Sequence, residues 1–326
     1  MKSTSLQLLD LLSDECFLSG EMLGSKLGIS RMAVSKAVKR LVDSGVPVTS
    51  IPGKGYRLEH SIQLLDQDRL EASLNERWGT DARLHVLDSV PSTSDYLLGL
   101  QPSKSVVGHI CVAERQDEGR GRRGRGWVST PYRNVIMSIA WQFQNGLADL
   151  AGLGVAAGIT IVSALHEIGL DSRIGLKWPN DIVWMDRKVG GLLIDIRGEH
   201  DGPCTAVLGF GLNLSLSEDD AEAIDQPFAT IESIQDGFPD RNAVTISLVN
   251  ALLDTFSRYP DTGFAPWQQQ WPAYDRLNDR PVCILQGDRK ISGTAAGIND
   301  QGAFVLVKEN GMREQYYSGE VSLRLA

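Results

Sequence analysis

Residues 117–131 read DEGRGRRGRGWVSTP, the most unusual stretch of this 326-residue chain. Gly119, Gly121 and Gly124 satisfy G-x-G-x-x-G, the spacing that brings a dinucleotide's pyrophosphate to a helix N-terminus. That fingerprint needs a helix starting at the third glycine and an acidic residue about 20 positions on. Here Trp127, Pro131 and a strand-like NVIMSIAWQF (134–143) follow, with no acid at that place. A dinucleotide fold is excluded. A phosphate-binding P-loop is excluded too, because G-x-x-x-x-G-K-[ST] occurs nowhere. Arg120, Arg122, Arg123 and Arg125 would repel one another on a rigid element and cannot enter an apolar core. They call for an anion: glycines clear the way to backbone N–H groups, and each guanidinium grips two oxygens at once. Without a ligand the loop is expected to move. The plain alternative is an exposed basic loop that serves nucleic acid or nothing.

Upstream, VVGHICVAERQ (106–116) reads as a strand; downstream, LADLAGLGVAAGITIVSALHEIGL (147–170) reads as a helix whose small residues pack closely on a sheet. Its uncharged centre, Leu150–Leu165, is shorter than the roughly 20 residues that span a bilayer, so a buried helix is expected. Strands around 107–114, 134–143, 190–196 and 205–211 supply the sheet of an α/β domain. From Leu277 short β runs alternate with the turn pairs Gly287-Asp288, Asn299-Asp300 and Asn310-Gly311, predicting a small all-β barrel.

The net charge is −9, yet residues 1–60 carry +2 and the remainder −11. Leu6 to Leu12 suggest a first helix; a second follows Ser19, with Met22, Leu23 and Leu27 on its apolar side. After Gly28-Ile29-Ser30, SRMAVSKAVKRLVDSG places Val34, Val38, Leu41 and Val42 at helical spacing against Arg31, Ser35, Lys36, Lys39 and Arg40. VPVTSIPGKGYRL then reads as a hairpin with Lys54 at its tip. This is a helix-turn-helix with a following wing, whose second helix would enter a DNA major groove. A helical subdomain with a merely solvated charged face remains open.

An acidic bulk excludes general polyanion binding. Asp10 and Asp14 interrupt any signal-peptide core, so a cytoplasmic protein is expected. Cys16, Cys111, Cys204 and Cys283 are too far apart for a zinc knuckle or a compact disulfide scaffold and are expected as buried free thiols. His60, His85, His109, His166 and His200 show no metal-ligand spacing.

Taken with KWPND (177–181), RKVGGLLID (187–195) and GFGLN (209–213), the arginine loop resembles biotin protein ligase; the N-terminal region resembles the bifunctional form that is also the biotin operon repressor. The resemblance is dense over 84–215, fair over 1–60 and weaker from about 277. It implies a winged helix-turn-helix over 1–62, a catalytic α/β (α+β) domain with a mixed sheet over 63–274, and an SH3-like β-barrel over 275–326. It implies that biotin and ATP, with Mg2+, form biotinyl-5'-AMP, without a tightly bound prosthetic group. Biotin then passes to a lysine of the biotin carboxyl carrier protein of acetyl-CoA carboxylase. Operator DNA and a homodimer formed with biotinyl-AMP are the other implied partners, the sheet edge near 190–196 pairing either with a second copy of itself or with the carrier domain; no membrane is implied.

The same resemblance assigns residues. Ser92, Thr93, Ser94 and Gln116 would meet the biotin head, and Gly190 and Gly191 would let the backbone approach the ureido ring. Arg120, Gly121 and Arg122 would close over carboxylate and phosphate. Lys188 would stabilise the forming anhydride, and Asp181 would face the metal and help deprotonate the acceptor amine. Arg123, Arg125, Lys177, Asn180, Gly209, Gly211, Asn213, Phe228 and Arg324 would serve the nucleotide. Ser94 stands where the family has asparagine, Gly126 where a relative has lysine, and Phe228 where a relative has tryptophan. These departures keep a DNA-binding biotinyl-nucleotide sensor with little catalysis as an alternative; a lipoate ligase is a third.

Overall fold

The computed structural model describes residues 4–79, 81–100, 108–144, 146–198, 202–235, 237–318 and 322–325, so His200 lies outside it. The chain forms two compact units, residues 1–64 with 130–133, and 65–129 with 134–326.

In the first unit, α1 (Thr4–Leu9), α2 (Gly20–Leu27) and α3 (Arg31–Asp43) precede β1 (Val48–Ile51) and β2 (Gly55–Leu58), an antiparallel pair. Ser19 and Ser30 cap α2 and α3 through their hydroxyls, and Gly28 ends α2 at φ +66°. Val34, Ala37, Val38 and Leu41 pack with Leu8, Leu23 and Leu58. Tyr132 joins this core at φ +64°, a conformation that a bulky residue adopts only when its surroundings hold it. Two expected packing residues do not pack: Met22 and Val42 are about half exposed, at the margins of their helices' buried stripes. Cys16 is likewise exposed, on the bend before the wing's partner segment, whereas the other three thiols are buried.

The second unit holds a mixed seven-stranded sheet in the order β3-β4-β5-β9-β8-β7-β6. Its strands are β3 (Ala82–Val90), β4 (Gly108–Gln116), β5 (Val135–Phe143), β6 (Ile174–Lys177), β7 (Asp181–Trp184), β8 (Arg187–Gly198) and β9 (Cys204–Leu212). Only β3 and β4 run parallel. Helices α4 (Gln67–Trp78), α5 (Thr93–Leu98), α6 (Leu153–Glu167), α7 (Glu218–Glu222), α8 (Ile231–Ile234), α9 (Arg241–Thr262) and α10 (Ala265–Tyr274) surround it. The stretch Leu147–Glu167 is long and apolar enough to cross a membrane, but α6 buries Ala156, Ala157, Ile159 and Val162 in the core. A Cβ at Gly158 would stand 3.2 Å from Leu176, which is why small residues recur there. Arg241, wholly buried, pairs with Glu114 on β4 and donates to the Asn134 carbonyl at 2.8 Å. The Leu65 N–H donates to the same Glu114, 2.6 Å away.

Strands β10 (Pro281–Gln286), β11 (Arg289–Ile298), β12 (Phe304–Val307), β13 (Arg313–Tyr316) and β14 (Ser322–Leu325) form a separate antiparallel sheet, in keeping with the all-β C-terminal reading. One expectation shifts: β8 is interior, with Gly190 and Gly191 paired to Ile182 and Asp181. Among the described residues, the side of β8 facing β7 is open only beyond Leu192, whose N–H still meets the Asn180 carbonyl. The open edge is therefore 193–198 rather than 190–196.

Candidate active site

A cleft of about 390 Å³ opens in the second unit. One part of its wall is hydroxyl-rich. Ser92 caps α5 through a 3.2 Å bond from the Asp95 N–H, so the STS segment also starts a helix. Thr93 gives both its N–H (2.8 Å) and its hydroxyl (3.1 Å) to Gln116 Oε1. Ser138, the one hydroxyl-bearing residue of β5, lies 2.7 Å from the Thr93 hydroxyl and 3.0 Å from that of Ser94. A Cβ at Gly209 would fall 2.5 Å from Ser94 Oγ, so the glycine makes room for that hydroxyl.

The arginine loop is a hairpin rather than loose coil. Trp127 N–H donates to the Gly119 carbonyl at 2.8 Å and Gly121 N–H to the Arg125 carbonyl at 2.7 Å, with Arg123 and Gly124 in the left-handed region at the tip. Arg120 pairs with Asp95 at 2.9 Å and Asp195 at 3.0 Å; Arg122 donates to Asn180 Oδ1 at 3.3 Å. Burial first, then the adjacent Arg123 charge, lowers the Arg122 pKa, with Asp181 opposing. An anion beside Arg122 would relieve this crowding.

Across the cleft Lys188 Nζ is 2.6 Å from Asp181 Oδ1. Burial lowers the Lys177 pKa, and Arg324 and Lys188 add to that while Asp181 opposes it. Trp178 is buried, donates to the Gly302 carbonyl at 3.0 Å and packs on Phe304, fastening the C-terminal sheet so that Arg324 of β14 lines the cleft.

Most anticipated residues meet here: Ser92, Thr93, Ser94, Gln116, Arg120, Gly121, Arg122, Arg125, Asn180, Asp181, Lys188, Gly191, Gly209, Gly211, Asn213, Phe228 and Arg324 all line the cleft. Arg123, Lys177 and Gly190 stand outside its wall. A Cβ at Gly190 would press on the Gly211 carbonyl at 2.9 Å, so that glycine serves sheet packing. Sequence reasoning missed Trp127 and Ser138. The Trp127 indole lies across Gly211 and Gly191, where added Cβ atoms would stand 2.4 and 3.4 Å from it. Its N–H and Asn213 Oδ1 are buried without a hydrogen-bond partner, an uncommon condition that suits groups kept for a ligand. Among the described residues no group of three or more His, Cys, Asp or Glu could cage a metal ion.

A model of the biotin/lipoate A/B protein ligase family matches residues 86–213, an HTH domain model matches 4–57, and a biotin protein ligase C-terminal domain model matches 279–324. The bifunctional ligase/repressor BirA of Salmonella typhimurium is 38% identical over the whole of both chains, and that of Escherichia coli is 36% identical over 98% of this chain and 97% of its own. The biotin protein ligase of Aquifex aeolicus, solved with biotin and ATP, superposes with a TM-score of 0.62 at 25% identity, covering 75% of this chain and 99% of that one. Fold, site and relatives together define an enzyme of the ligase class, with biotin and ATP as substrates, joined to a helix-turn-helix repressor domain. The chain belongs to the biotin protein ligases, in their bifunctional ligase/repressor form.

Proposed function

We propose that this cleft performs both half-reactions with the residues named above. The observation that carries the reading is the convergence of Arg120, Arg122, Lys188 and Arg324 on the cleft that also holds Thr93, Ser94 and Gln116. In the first step a biotin carboxylate oxygen attacks the α-phosphorus of ATP, the bond to the β-phosphate breaks and pyrophosphate leaves. Two anions must be held together, so fixed positive charge contributes more than a side-chain nucleophile would. Arg122 and Lys188 hold the carboxylate and α-phosphate, and Arg120 with Gly121 closes over them. Ser92, Thr93, Ser94 and Gln116 take the biotin head beside Gly191, and Gly190 supports that wall indirectly, through the close packing of β8 on β9. Arg125, Asn180, Asn213, Phe228 and Arg324 serve the nucleotide from the cleft wall, with Arg123 and Lys177 behind it, while Gly209 and Gly211 make room for Ser94 Oγ and the Trp127 indole.

Asp181 suits Mg2+, which usually binds through one or two carboxylates plus substrate phosphates rather than in a protein cage; the ion would neutralise phosphate charge. In the second step an acceptor lysine amine attacks the acyl carbon and AMP leaves, while Asp181 takes the amine's proton. A free lysine has a pKa near 10.4, so a neighbouring base makes that attack feasible at neutral pH.

The acceptor is the biotin carboxyl carrier protein of acetyl-CoA carboxylase. Operator DNA is held by Arg31, Ser35, Lys36, Lys39, Arg40 and Lys54, and biotinyl-AMP favours a homodimer through the β8 edge, which pairs two recognition helices. The working divisions are 1–62, 63–274 and 275–326, in a cytoplasmic protein.

The deciding experiment is biotin-dependent exchange of labelled pyrophosphate into ATP, run beside lipoate and an Arg122→Ala variant. Exchange with biotin alone, lost in the variant, is expected; biotin binding without exchange would make the chain a sensor. Sedimentation with and without biotin and ATP tests the dimer, and an unchanged sedimentation rate would remove it.

A further inference from the structure

Met32 is 80% exposed, more than any other large apolar side chain among the described residues. An isolated apolar residue on a surface needs no explanation, but Met32 stands inside a pattern. Along α3, Val34, Ala37, Val38 and Leu41 are buried, while Met32, Ser35, Lys36 and Lys39 are exposed. Those four lie at i, i+3, i+4 and i+7, which makes them one outward stripe. Arg31 and Arg40 flank it, and no acid occurs between them. Met32 contributes nothing to the packing of its own unit, yet it is the second residue of the helix that follows the turn.

The charge around Met32 identifies what could cover it. Four cations and no acid between residues 31 and 40 suit phosphate, and in a helix-turn-helix the first residues of the second helix reach the base edges. Lysine contacts to phosphates fix register but carry no sequence information. At the base edges of the major groove, the apolar group on offer is the thymine 5-methyl. We propose that Met32 reads a thymine methyl in each half-site of the DNA bound by this unit. The inference rests on the DNA-binding reading given above and adds the residue that gives that binding a base preference.

The test uses the full-length protein with biotin, ATP and magnesium. Duplexes are selected from a random-sequence pool, and each recurring thymine is then replaced singly by uracil, which pairs identically and lacks the methyl. Wild-type protein should show one position per half-site where uracil weakens binding about fourfold, the scale of one apolar carbon withdrawn from water. Met32→Ala should lose the thymine preference and the uracil penalty there while keeping its preferences elsewhere, and Met32→Leu should restore both. An enriched site with no uracil-sensitive position, or an undiminished penalty in Met32→Ala, overturns the assignment and leaves DNA binding standing. If no sequence is enriched at all, the DNA-binding reading falls, and this one with it.

Discussion

Lys188 and Asp181, on the adjacent strands β8 and β7, form an ion pair of 2.6 Å at the wall of the cleft, with the Lys188 ammonium 5.5 Å from the centroid of the Trp127 ring. Each group holds the other in place until substrate anions arrive. Lys188→Gln should therefore slow biotin-dependent pyrophosphate exchange by about 10²-fold or more, the scale of removing one electrostatic stabiliser of a transition state. Asp181→Asn should impair transfer to the carrier more than exchange, so biotinyl-AMP should build up in a single turnover. Equal loss in both assays would remove the base role from Asp181.

Gly209→Ala tests the hydroxyl wall. The new methyl would stand 2.5 Å from Ser94 Oγ, which must give up its 3.0 Å contact with Ser138. The KM for biotin should rise about tenfold, the scale of one lost hydrogen bond, with little change in the KM for ATP. Steady-state exchange kinetics measure both; a change confined to ATP would move the biotin head elsewhere.

Arg241→Met leaves Glu114 buried without its partner, and removing one member of a buried pair costs about 3–5 kcal/mol. Urea unfolding should show that loss, and adding Glu114→Gln should recover part of it. A double variant no better than the single one would mean that Arg241 acts through its bonds to backbone carbonyls, those of Asn134 and Ala113 among them, rather than through Glu114.

His85 and His109 stack with ring nitrogens 3.2 Å apart. Burial lowers both pKa values, with Arg83 adding for each and His85 adding for His109. The unfolded chain then binds protons more readily, so their contribution to stability is full above the ordinary value of 6.5 and is lost as pH falls through the lowered folded values. His85→Gln should lose less melting temperature than wild type between neutral and mildly acidic pH. Parallel pH–Tm curves would exclude the pair as a source of acid sensitivity.

Much of this was legible one residue at a time. Ser19 and Ser30 announce their helices because a hydroxyl can cap an N–H three residues on, and the apolar runs within 106–116 and 134–143 yield β4 and β5. Strands β3, β6 and β7 were not anticipated: β3 is a half-buried edge strand of mixed polarity, and the other two have only four residues each. Ser138 could have been noticed as the one hydroxyl inside VIMSIAW, but nothing local says that it faces Thr93 and Ser94, which lie about forty-five residues earlier.

By itself the sequence pointed to the chemistry: four arginines among glycines call for an anion, and the caps and periodicities of residues 19–43 outline two helices and a turn with a basic outer face. The tertiary structure alone decided which of those residues share a site and what each glycine is for. Burial of Trp178 against Phe304 brings Arg324 to the cleft, and the Trp127 indole lying on Gly211 and Gly191 explains two glycines that the chain alone assigns to ligand and nucleotide. Local propensity acts over a few residues, whereas such contacts join strands far apart in sequence, and only packing sets which faces meet.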